Sequence, residues 1–165
     1  MIGRAVLLSV APEFAEKIAD GTKTVELRKR FPSVPSGTWM YLYVTLPIGA
    51  VIGRVKISEI DTANPKKIWD EHKNKVGISK TRFSEYFGGR QEGHAVHLSD
   101  YEAITPITLR ELRMKMTDFV VPQSYRYLSE IDQALMHGSG AVRVPSTDGK
   151  RKQIVAPALE VICLA

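Results

Sequence analysis

The sequence predicts an α+β protein that is mostly β, a small mixed and largely antiparallel β-barrel with short flanking helices. Roughly five or six segments carry strand-like patterns, and short helical segments lie between several of them. The connections between residues 23 and 60 are shorter than the dozen or so residues that a parallel crossover needs, so we expect antiparallel pairing there. The 165 residues fit one domain.

The first predicted elements are a buried strand and a short helix. Residues 4–10 (RAVLLSV) form an almost continuous apolar run, which is typical of a buried strand. Pro12 suits the first turn of a helix, where its missing N–H costs nothing, and Gly21 is placed to end that helix. Phe14 and Ile18 give the helix one apolar face.

Three further strands are predicted after this helix. Over residues 23–31 the period is two, so Val25 and Leu27 should face the core. The opposite face then carries the polar side chains of Thr24, Glu26, Arg28 and Arg30. Residues 39–45 and 50–60 are rich in aromatic and β-branched side chains and predict the next two strands.

The strand at residues 39–45 has two apolar faces. They alternate along the strand, with Trp39, Tyr41 and Tyr43 on one face and Met40, Leu42 and Val44 on the other. Since only one face can pack into the main core, two interpretations of the aromatic face stay open. It lines a cleft, where aromatic rings next to cations can stack unpaired bases, or it packs under the short helices.

Capping residues mark the helices of the second half of the chain. Asn64, which precedes a proline, can cap one helix, and Ser79 can cap the next. Thr108 and Glu111 have the spacing of a capping box and predict a third helix. Residues 92–104 between them return to strand-like alternation.

The C-terminal part is predicted to extend beyond the barrel. After residues 122–126 (PQSYR) we expect a helix. Its apolar stripe would consist of Tyr127, Leu128, Ile131 and Leu135. Residues 139–153 read as an exposed loop with a basic cluster, and the run that follows reads as a final strand. We therefore expect one folded domain over residues 1–135 and a C-terminal extension over residues 136–165.

The composition indicates which classes of partner and which cellular compartment to expect. The net charge of +5 and the isoelectric point of about 9.3 favour polyanions, through long-range attraction and counterion release. Cys163 is the one cysteine and cannot form an internal disulfide. The N-terminal apolar run is too short to span a bilayer and lacks a cleavage site for a signal peptidase. We expect a cytoplasmic protein without membrane contact and without a cofactor.

The histidines do not predict a metal site. His94 and His97 are three positions apart in a predicted strand, so their side chains should point to opposite faces and cannot hold one ion. His72 and His137 are isolated in the sequence. We therefore expect no bound metal.

Residues 21–30 (GTKTVELRKR) carry the most chemistry in the chain. Glu26 lies between Lys23 and Arg28 along the segment. A carboxylate between two cations stays ionised and still leaves guanidinium groups available for phosphate. The alternative is a solvated strand face with paired charges, which contributes little to stability.

This segment and its neighbours resemble the ASCH domains of the PUA-like superfamily. The family signature Gly-x-Lys-x-x-Glu-x-Arg is matched by Gly21, Lys23, Glu26 and Arg28. The resemblance continues through WMYLYVT, AVIGRVKI and PQSYRYL, and covers roughly residues 5–130. It implies a β-barrel flanked by helices, with a cleft beside the signature.

The resemblance also implies a choice between binding and catalysis. Members of the family are described mostly as RNA-binding or transcription-associated modules, while a few hydrolyse N4-acylated cytidine nucleosides and some cut RNA. In the amidohydrolases a Lys, a Thr and a Glu do the work. Lys23 matches that Lys, but Glu26 stands where those enzymes carry Thr, which favours binding. If the protein is instead a hydrolase, we expect Lys23 and Glu26 to be its catalytic pair.

We therefore expect a nucleic-acid-binding module that prefers RNA to DNA. Lys23, Arg28 and Arg30 would contact phosphates. The further candidates, for an unstacked base or a phosphate, are Tyr43, Gln123, Ser124 and Arg126. A domain that senses a small anionic ligand is a third alternative, and the oligomeric state is left open.

Overall fold

A computed structural model describes residues 4–137, which contain six strands and five helices. Along the chain these are β1 (Ala5–Val10), α1 (Pro12–Ala19), β2 (Val25–Arg28), β3 (Thr38–Val44), β4 (Ala50–Ala63), α2 (Pro65–His72), α3 (Lys80–Phe87), β5 (Gly93–Thr108), α4 (Leu109–Lys115), β6 (Tyr125–Leu128) and α5 (Glu130–His137). Among the described residues, no helix has the length and apolar character that crossing a membrane requires.

All six strands belong to one curled, half-barrel sheet with the order β2-β5-β4-β3-β1-β6. Neighbouring strands are antiparallel except β1 and β3, which run parallel. The predicted class, α+β and mostly β with a PUA-like, largely antiparallel sheet and short flanking helices, is confirmed.

Between residues 23 and 60 we expected successive strands to pair in antiparallel fashion. This is right for β3 and β4, but wrong for β2, which does not pair with β3. β2 lies at the edge of the sheet beside β5, with Val25 opposite His97. There Val25 and Leu27 pack with side chains of α2 and α3. A short connection excludes a parallel crossover, but it does not require two successive strands to be neighbours.

Both faces of the central strand β3 are buried, which decides between the two interpretations of its aromatic residues. Tyr41 and Tyr43 pack with Leu112 of α4 and Met136 of α5. The aliphatic face of the strand packs with Ile18 of α1 in a second cluster. The aromatic residues therefore form core under the helices and do not line a cleft.

The three predicted helix caps are present. The Asn64 side chain accepts a hydrogen bond from the backbone N–H of Lys66, and Ser79 accepts one from Arg82. Thr108 and Glu111 form both hydrogen bonds of a capping box. Each cap satisfies N–H groups that the first helical turn leaves without partners, which is why these local patterns could be read from sequence alone.

The predicted helix after residue 126 begins later than expected. Tyr127 and Leu128 belong to β6 and pair with Val6 and Ala5 of β1. The helix starts only after Ser129, whose hydroxyl accepts a hydrogen bond from the N–H of Asp132 at 3.1 Å. Pairing with β1 therefore removes the first turn that the apolar stripe predicted.

α5 continues past the expected domain boundary after residue 135. Met136 is 4% exposed and belongs to the core cluster of α4 and α5. The basic loop at 139–153 and the final strand predicted after it lie outside the described residues. The division into a domain and an extension stays a prediction.

Candidate functional site

The turn before β2 directs the signature residues into the protein. Gly21 has a φ of +79°, a left-handed conformation that glycine adopts without strain. The backbone N–H of Lys23 then donates to the carbonyl oxygen of Lys17 at 2.8 Å. This bond ties the start of β2 to the end of α1, and the Lys23 side chain enters the interior with 3% exposure.

The Lys23 ammonium group has three acceptors for its three N–H donors. Nζ lies 2.8 Å from the carbonyl oxygen of Val25, 2.7 Å from that of Val76 and 3.2 Å from Glu26 Oε2. A protonated amine fills these contacts completely. The three N–H donors of the ammonium group are thus all engaged within the described residues.

Glu26 and Arg28 complete a row of three charges along β2. Glu26 is buried between the two cations, with Oε1 3.3 Å from Arg28 Nε. Arg28 Nη2 donates to the carbonyl oxygen of Ser9 on β1 at 2.7 Å. The contact with Glu26 is not aligned as a hydrogen bond, so the buried Nε has no hydrogen-bond partner among the described residues.

These charges lie at a cleft of about 220 Å³ between β2, the end of β1, α1 and α3. Phe14 and Tyr86 contribute aromatic walls, and burial raises the pKa of the Tyr86 hydroxyl. On the solvent side, Arg82 of α3 donates two hydrogen bonds to Glu13 of α1, at 3.0 and 2.7 Å. The cleft therefore has apolar and aromatic walls, two cations and a carboxylate at its base, and an arginine–glutamate ion pair at its rim.

A second hollow, of about 370 Å³, adjoins this cleft. Its lining combines three cations and one carboxylate with aromatic and polar side chains: Lys29, Arg30, Phe31, Arg90, Gln91, Glu92, His94 and Tyr125. Lys29 lies between the cleft and the hollow. Its backbone N–H donates to the Tyr86 hydroxyl at 3.2 Å, and its ammonium group lies 4.9 Å from the Tyr86 ring centre. Arg28 of the cleft and Lys29, Arg30 and Arg90 of the hollow thus place four cations along the two neighbouring spaces.

The structure brings four of the predicted site residues to these two spaces. Lys23, Glu26 and Arg28 line the cleft. Arg30 is exposed in the adjoining hollow, beyond the end of β2.

The other predicted residues are placed differently. Tyr43 is 2% exposed and packs in the core, so its ring is not accessible for stacking. Arg126 lies 5.2 Å from the ring centre of Phe119, on the face of β6 opposite to Tyr125. Gln123 is exposed and Ser124 is half-buried immediately before Tyr125. The backbone just before them is held near the cleft, because Ser9 donates to the carbonyl oxygen of Pro122 at 2.6 Å.

Sequence reasoning missed the aromatic pair of the second hollow. Phe31 and Tyr125 have ring centres 5.9 Å apart. Phe31 follows Arg30 directly, and Tyr125 belongs to the PQSYR stretch, so both were adjacent to predicted residues. The pairing of β1 with β6 brings them together, and no local pattern encodes that pairing.

One group of side chains has the composition of a metal site. Asp61, His72 and His97 offer ligand atoms that lie within 4.8 Å of one another. His94 bonds to Thr62 instead, so His94 and His97 point to opposite faces as predicted. The inference that His72 is isolated is wrong, because α2 places it against β4 and β5.

Comparison with known proteins places the chain in a family. The family model described as ASCH domain matches residues 8–112. The "ASCH domain-containing ribonuclease" of Zymomonas mobilis subsp. mobilis is 31% identical over 125 residues, which cover 76% of this chain and 84% of that protein.

Solved structures agree with the family. The crystal structure of ASCH from Zymomonas mobilis is 30% identical with a TM-score of 0.76, covering 79% of this chain and 92% of that one. The N-terminal domain of Staphylothermus marinus McrB, 11% identical with a TM-score of 0.54 over 85% of this chain and 97% of that one, shares the fold alone. The chain described above, with its Gly-x-Lys-x-x-Glu-x-Arg signature at the cleft, belongs to the ASCH domain family.

Proposed function

We propose that this protein binds single-stranded RNA along the cleft and the adjoining hollow, with Arg28 as the central phosphate contact. The observation that carries the proposal is the Arg28 guanidinium, which faces the cleft while its buried Nε lacks a hydrogen bond within residues 4–137. A buried donor without an acceptor costs about 1–3 kcal/mol. An anionic ligand that draws the guanidinium into a new hydrogen bond would recover part of that cost.

The surroundings of Arg28 support a polynucleotide over a small anion. Lys29, Arg30 and Arg90 extend the positive surface away from the cleft. Phe31 and Tyr125 are half-buried beside these cations, an arrangement that suits stacking of an unpaired base. The name of the 31% identical relative, a ribonuclease, supports RNA as the polymer.

The test is the affinity for a fluorescent single-stranded RNA oligomer, measured by anisotropy over a range of salt concentrations. We expect Arg28→Ala to weaken binding by about tenfold and to lower the salt slope by about one. Arg54→Ala is the matched control, because Arg54 is a half-buried arginine of β4 that bonds to Glu102, Tyr41 and His137, away from the cleft. Its affinity should stay at the wild-type value.

Two outcomes contradict the proposal. One is the absence of RNA binding by the wild-type protein at low salt. The other is an equal loss of affinity in both arginine variants, which would locate binding elsewhere. The same measurement with single-stranded DNA of the same sequence separates a preference for RNA from general attraction to polyanions.

Cleavage of RNA is a second candidate function, favoured by the Glu26 carboxylate in the cleft. Glu26 would accept the proton of a 2′-hydroxyl as its oxygen attacks the adjacent phosphorus, which forms a 2′,3′-cyclic phosphate and breaks the P–O5′ bond. The leaving 5′-oxygen would take a proton from water, and Arg28 would stabilise charge on the phosphate. Lys23 would then be a positioning residue, since its three donors are already occupied.

Incubation with labelled RNA and with N4-acetylcytidine tests this candidate. We expect any RNA cleavage to fall by at least about a hundredfold in Glu26→Gln while RNA affinity is retained, measured at a temperature at which circular dichroism shows this destabilised variant to be folded. Turnover of N4-acetylcytidine is not expected, because Glu26 replaces the Thr of the amidohydrolases. Cleavage that persists in Glu26→Gln excludes the carboxylate as the base.

A further inference from the structure

Three elements that are distant in sequence meet at Asp61 of β4, His72 at the end of α2 and His97 of β5. Both histidines direct Nε2 to the same atom, Asp61 Oδ2, at 3.0 Å for His72 and 2.8 Å for His97. The two rings are nearly perpendicular, with centres 4.8 Å apart. The group lies beside Val25 on the helix-covered face of β5, whereas the side chain of Glu26 points to the other face.

The group is partly enclosed, with one side open. The side chain of His72 is 9% exposed, that of His97 19% and that of Asp61 34%. Asp61 Oδ2 therefore lies next to two imidazole nitrogens, with part of the carboxyl group open to solvent.

His72 lacks a second polar contact. Its Nδ1 is buried without a hydrogen-bond partner in the described part of the chain. The ring is oriented by the contacts of Nε2 and by its edge-on packing against His97. A cation bound at Nε2 would place the imidazole proton on Nδ1, which would then need an acceptor such as a water molecule.

We propose that Asp61, His72 and His97 bind a divalent transition-metal ion of the zinc class. Imidazole nitrogen and carboxylate oxygen are the donors such ions prefer, whereas magnesium and calcium prefer oxygen alone. Ligands about 2.0–2.2 Å from a tetrahedral ion lie roughly 3.3–3.5 Å apart. The distances from Asp61 Oδ2 to the two histidines, 3.0 and 2.8 Å, would need to open by about half an ångström to admit it, and all three ligand atoms already lie within 4.8 Å of one another.

Glu71 is the nearest further carboxylate and would have to move to become a fourth ligand. Its Oε2 lies 3.9 Å from His72 Nε2, while its Oε1 lies 3.8 Å from Lys67 Nζ, and its side chain is half exposed. With neutral histidines, the two carboxylates give the site a charge of −2, which matches a divalent cation. Ion binding requires the Nε2 proton that each neutral histidine donates to Asp61 to be replaced by one on Nδ1, so that the ring stays neutral while Nε2 binds the ion.

The ion would fasten α2 to the sheet. α2 packs against α3 through Trp69 and Phe83, whose ring centres are 5.0 Å apart. α3 in turn contributes Tyr86 and Arg82 to the cleft. Metal binding on the far face of β5 would therefore stabilise the helices that form one wall of the cleft. This role is independent of whether the cleft binds RNA.

The test uses full-length protein treated with a chelator, with Cys163→Ser in every sample so that the thiol supplies no ligand. We expect ZnCl2 at about 100 times its dissociation constant to raise the melting temperature by about 5–10 °C. His72→Asn and His97→Asn should lose this rise. His94→Asn is the matched control, because it changes a histidine of the same strand on the opposite face, and it should keep the rise.

Substitution with Co²⁺ gives a readout that does not depend on stability. Measured below the melting temperature of each variant, four-coordinate Co²⁺ should give visible absorption bands in the wild type and in His94→Asn, and none in His72→Asn or His97→Asn. MgCl2 at equal concentration should leave the melting temperature unchanged. The proposal is overturned if Zn²⁺ gives no rise in the wild type, or if His94→Asn loses the rise as well.

Discussion

Two arginines of the sheet, Arg28 on β2 and Arg54 on β4, differ in how completely the protein satisfies them. Arg54 donates from Nε and Nη2 to Glu102 Oε2, at 2.8 and 2.6 Å. Its Nη1 lies 3.3 Å from the Tyr41 hydroxyl and 2.8 Å from His137 Nε2. Its guanidinium also stacks 4.0 Å from the ring centre of Trp39.

Arg28, by contrast, is less exposed and less well matched. One of its nitrogens bonds to the carbonyl oxygen of Ser9, and its Nε has an ion-pair contact with Glu26 but no hydrogen bond. The hydrogen-bond donors of Arg54 find their acceptors within the fold. The cluster of Arg54, Tyr41, Glu102 and His137 therefore holds α5 against the sheet. Arg28, at the cleft, still has an N–H group without a hydrogen bond within the described residues. This difference distinguishes the candidate ligand-binding arginine from the structural one.

The two clusters should differ most in how much stability is lost when the carboxylate of each, Glu26 or Glu102, is replaced by an amide. Glu26→Gln leaves two cations without their buried anion, and we expect it to lower the free energy of unfolding by about 3–5 kcal/mol. Glu102 is 50% exposed, so Glu102→Gln should cost only about 0.5–1 kcal/mol. Urea unfolding of both variants measures the difference. If both variants lost the same free energy of unfolding, the greater burial of Glu26 would not make its ion pairs more stabilising than that of Glu102.

A smaller effect is expected from the lysines. Lys23→Met deprives the carbonyl oxygens of Val25 and Val76 of their donor, while Glu26 keeps Arg28, so we expect a loss of about 2–3 kcal/mol. Lys56→Met is the control, since Lys56 pairs with the exposed Asp100 at 3.4 Å. It should change stability by less than about 1 kcal/mol. A Lys23→Met protein of wild-type stability would contradict the structural role assigned to Lys23.

The smallest effect concerns pH at the Arg54 cluster. Burial and the charge of Arg54 lower the pKa of His137 from its ordinary value of 6.5. The unfolded chain therefore binds a proton more readily, and His137 reduces stability as the pH falls below about 6.5.

The variant His137→Gln should make unfolding less sensitive to acid between about pH 7.5 and 5.5 than it is in the wild type. Urea midpoints at both pH values measure this, and His94→Gln serves as the control histidine. If His137→Gln keeps the full acid sensitivity of the wild type, the contact with Arg54 does not control the titration of His137.

Features that depend on neighbours in sequence could be predicted, and features that depend on strand pairing could not. Alternation along β2 separates Val25 from Glu26, and the caps at Asn64 and Ser79 are local hydrogen bonds. The edge position of β2 depends on β5, which is some seventy residues away in the chain. The meeting of His72 with His97 depends on the same long-range packing.

The candidate site shows the same division. The signature predicted which residues of β2 face the cleft, because period two requires no knowledge of the rest of the sheet. Tyr43 was misplaced as a base platform, since an aromatic face looks the same in sequence whether helices cover it or solvent does. Tyr125 reaches the hollow only because β6 pairs with β1, a contact between the two ends of the domain.

The ion pair between Glu13 and Arg82 has a consequence for the way ionic strength acts on this protein. Both side chains are about half exposed, so salt weakens their attraction. A phosphate that reaches Arg82 must displace Glu13, which makes the protein's own carboxylate a competitor for that guanidinium. Rising salt therefore screens the incoming polyanion and this internal competitor together, and Arg82 should contribute less to the salt dependence of binding than its charge alone indicates.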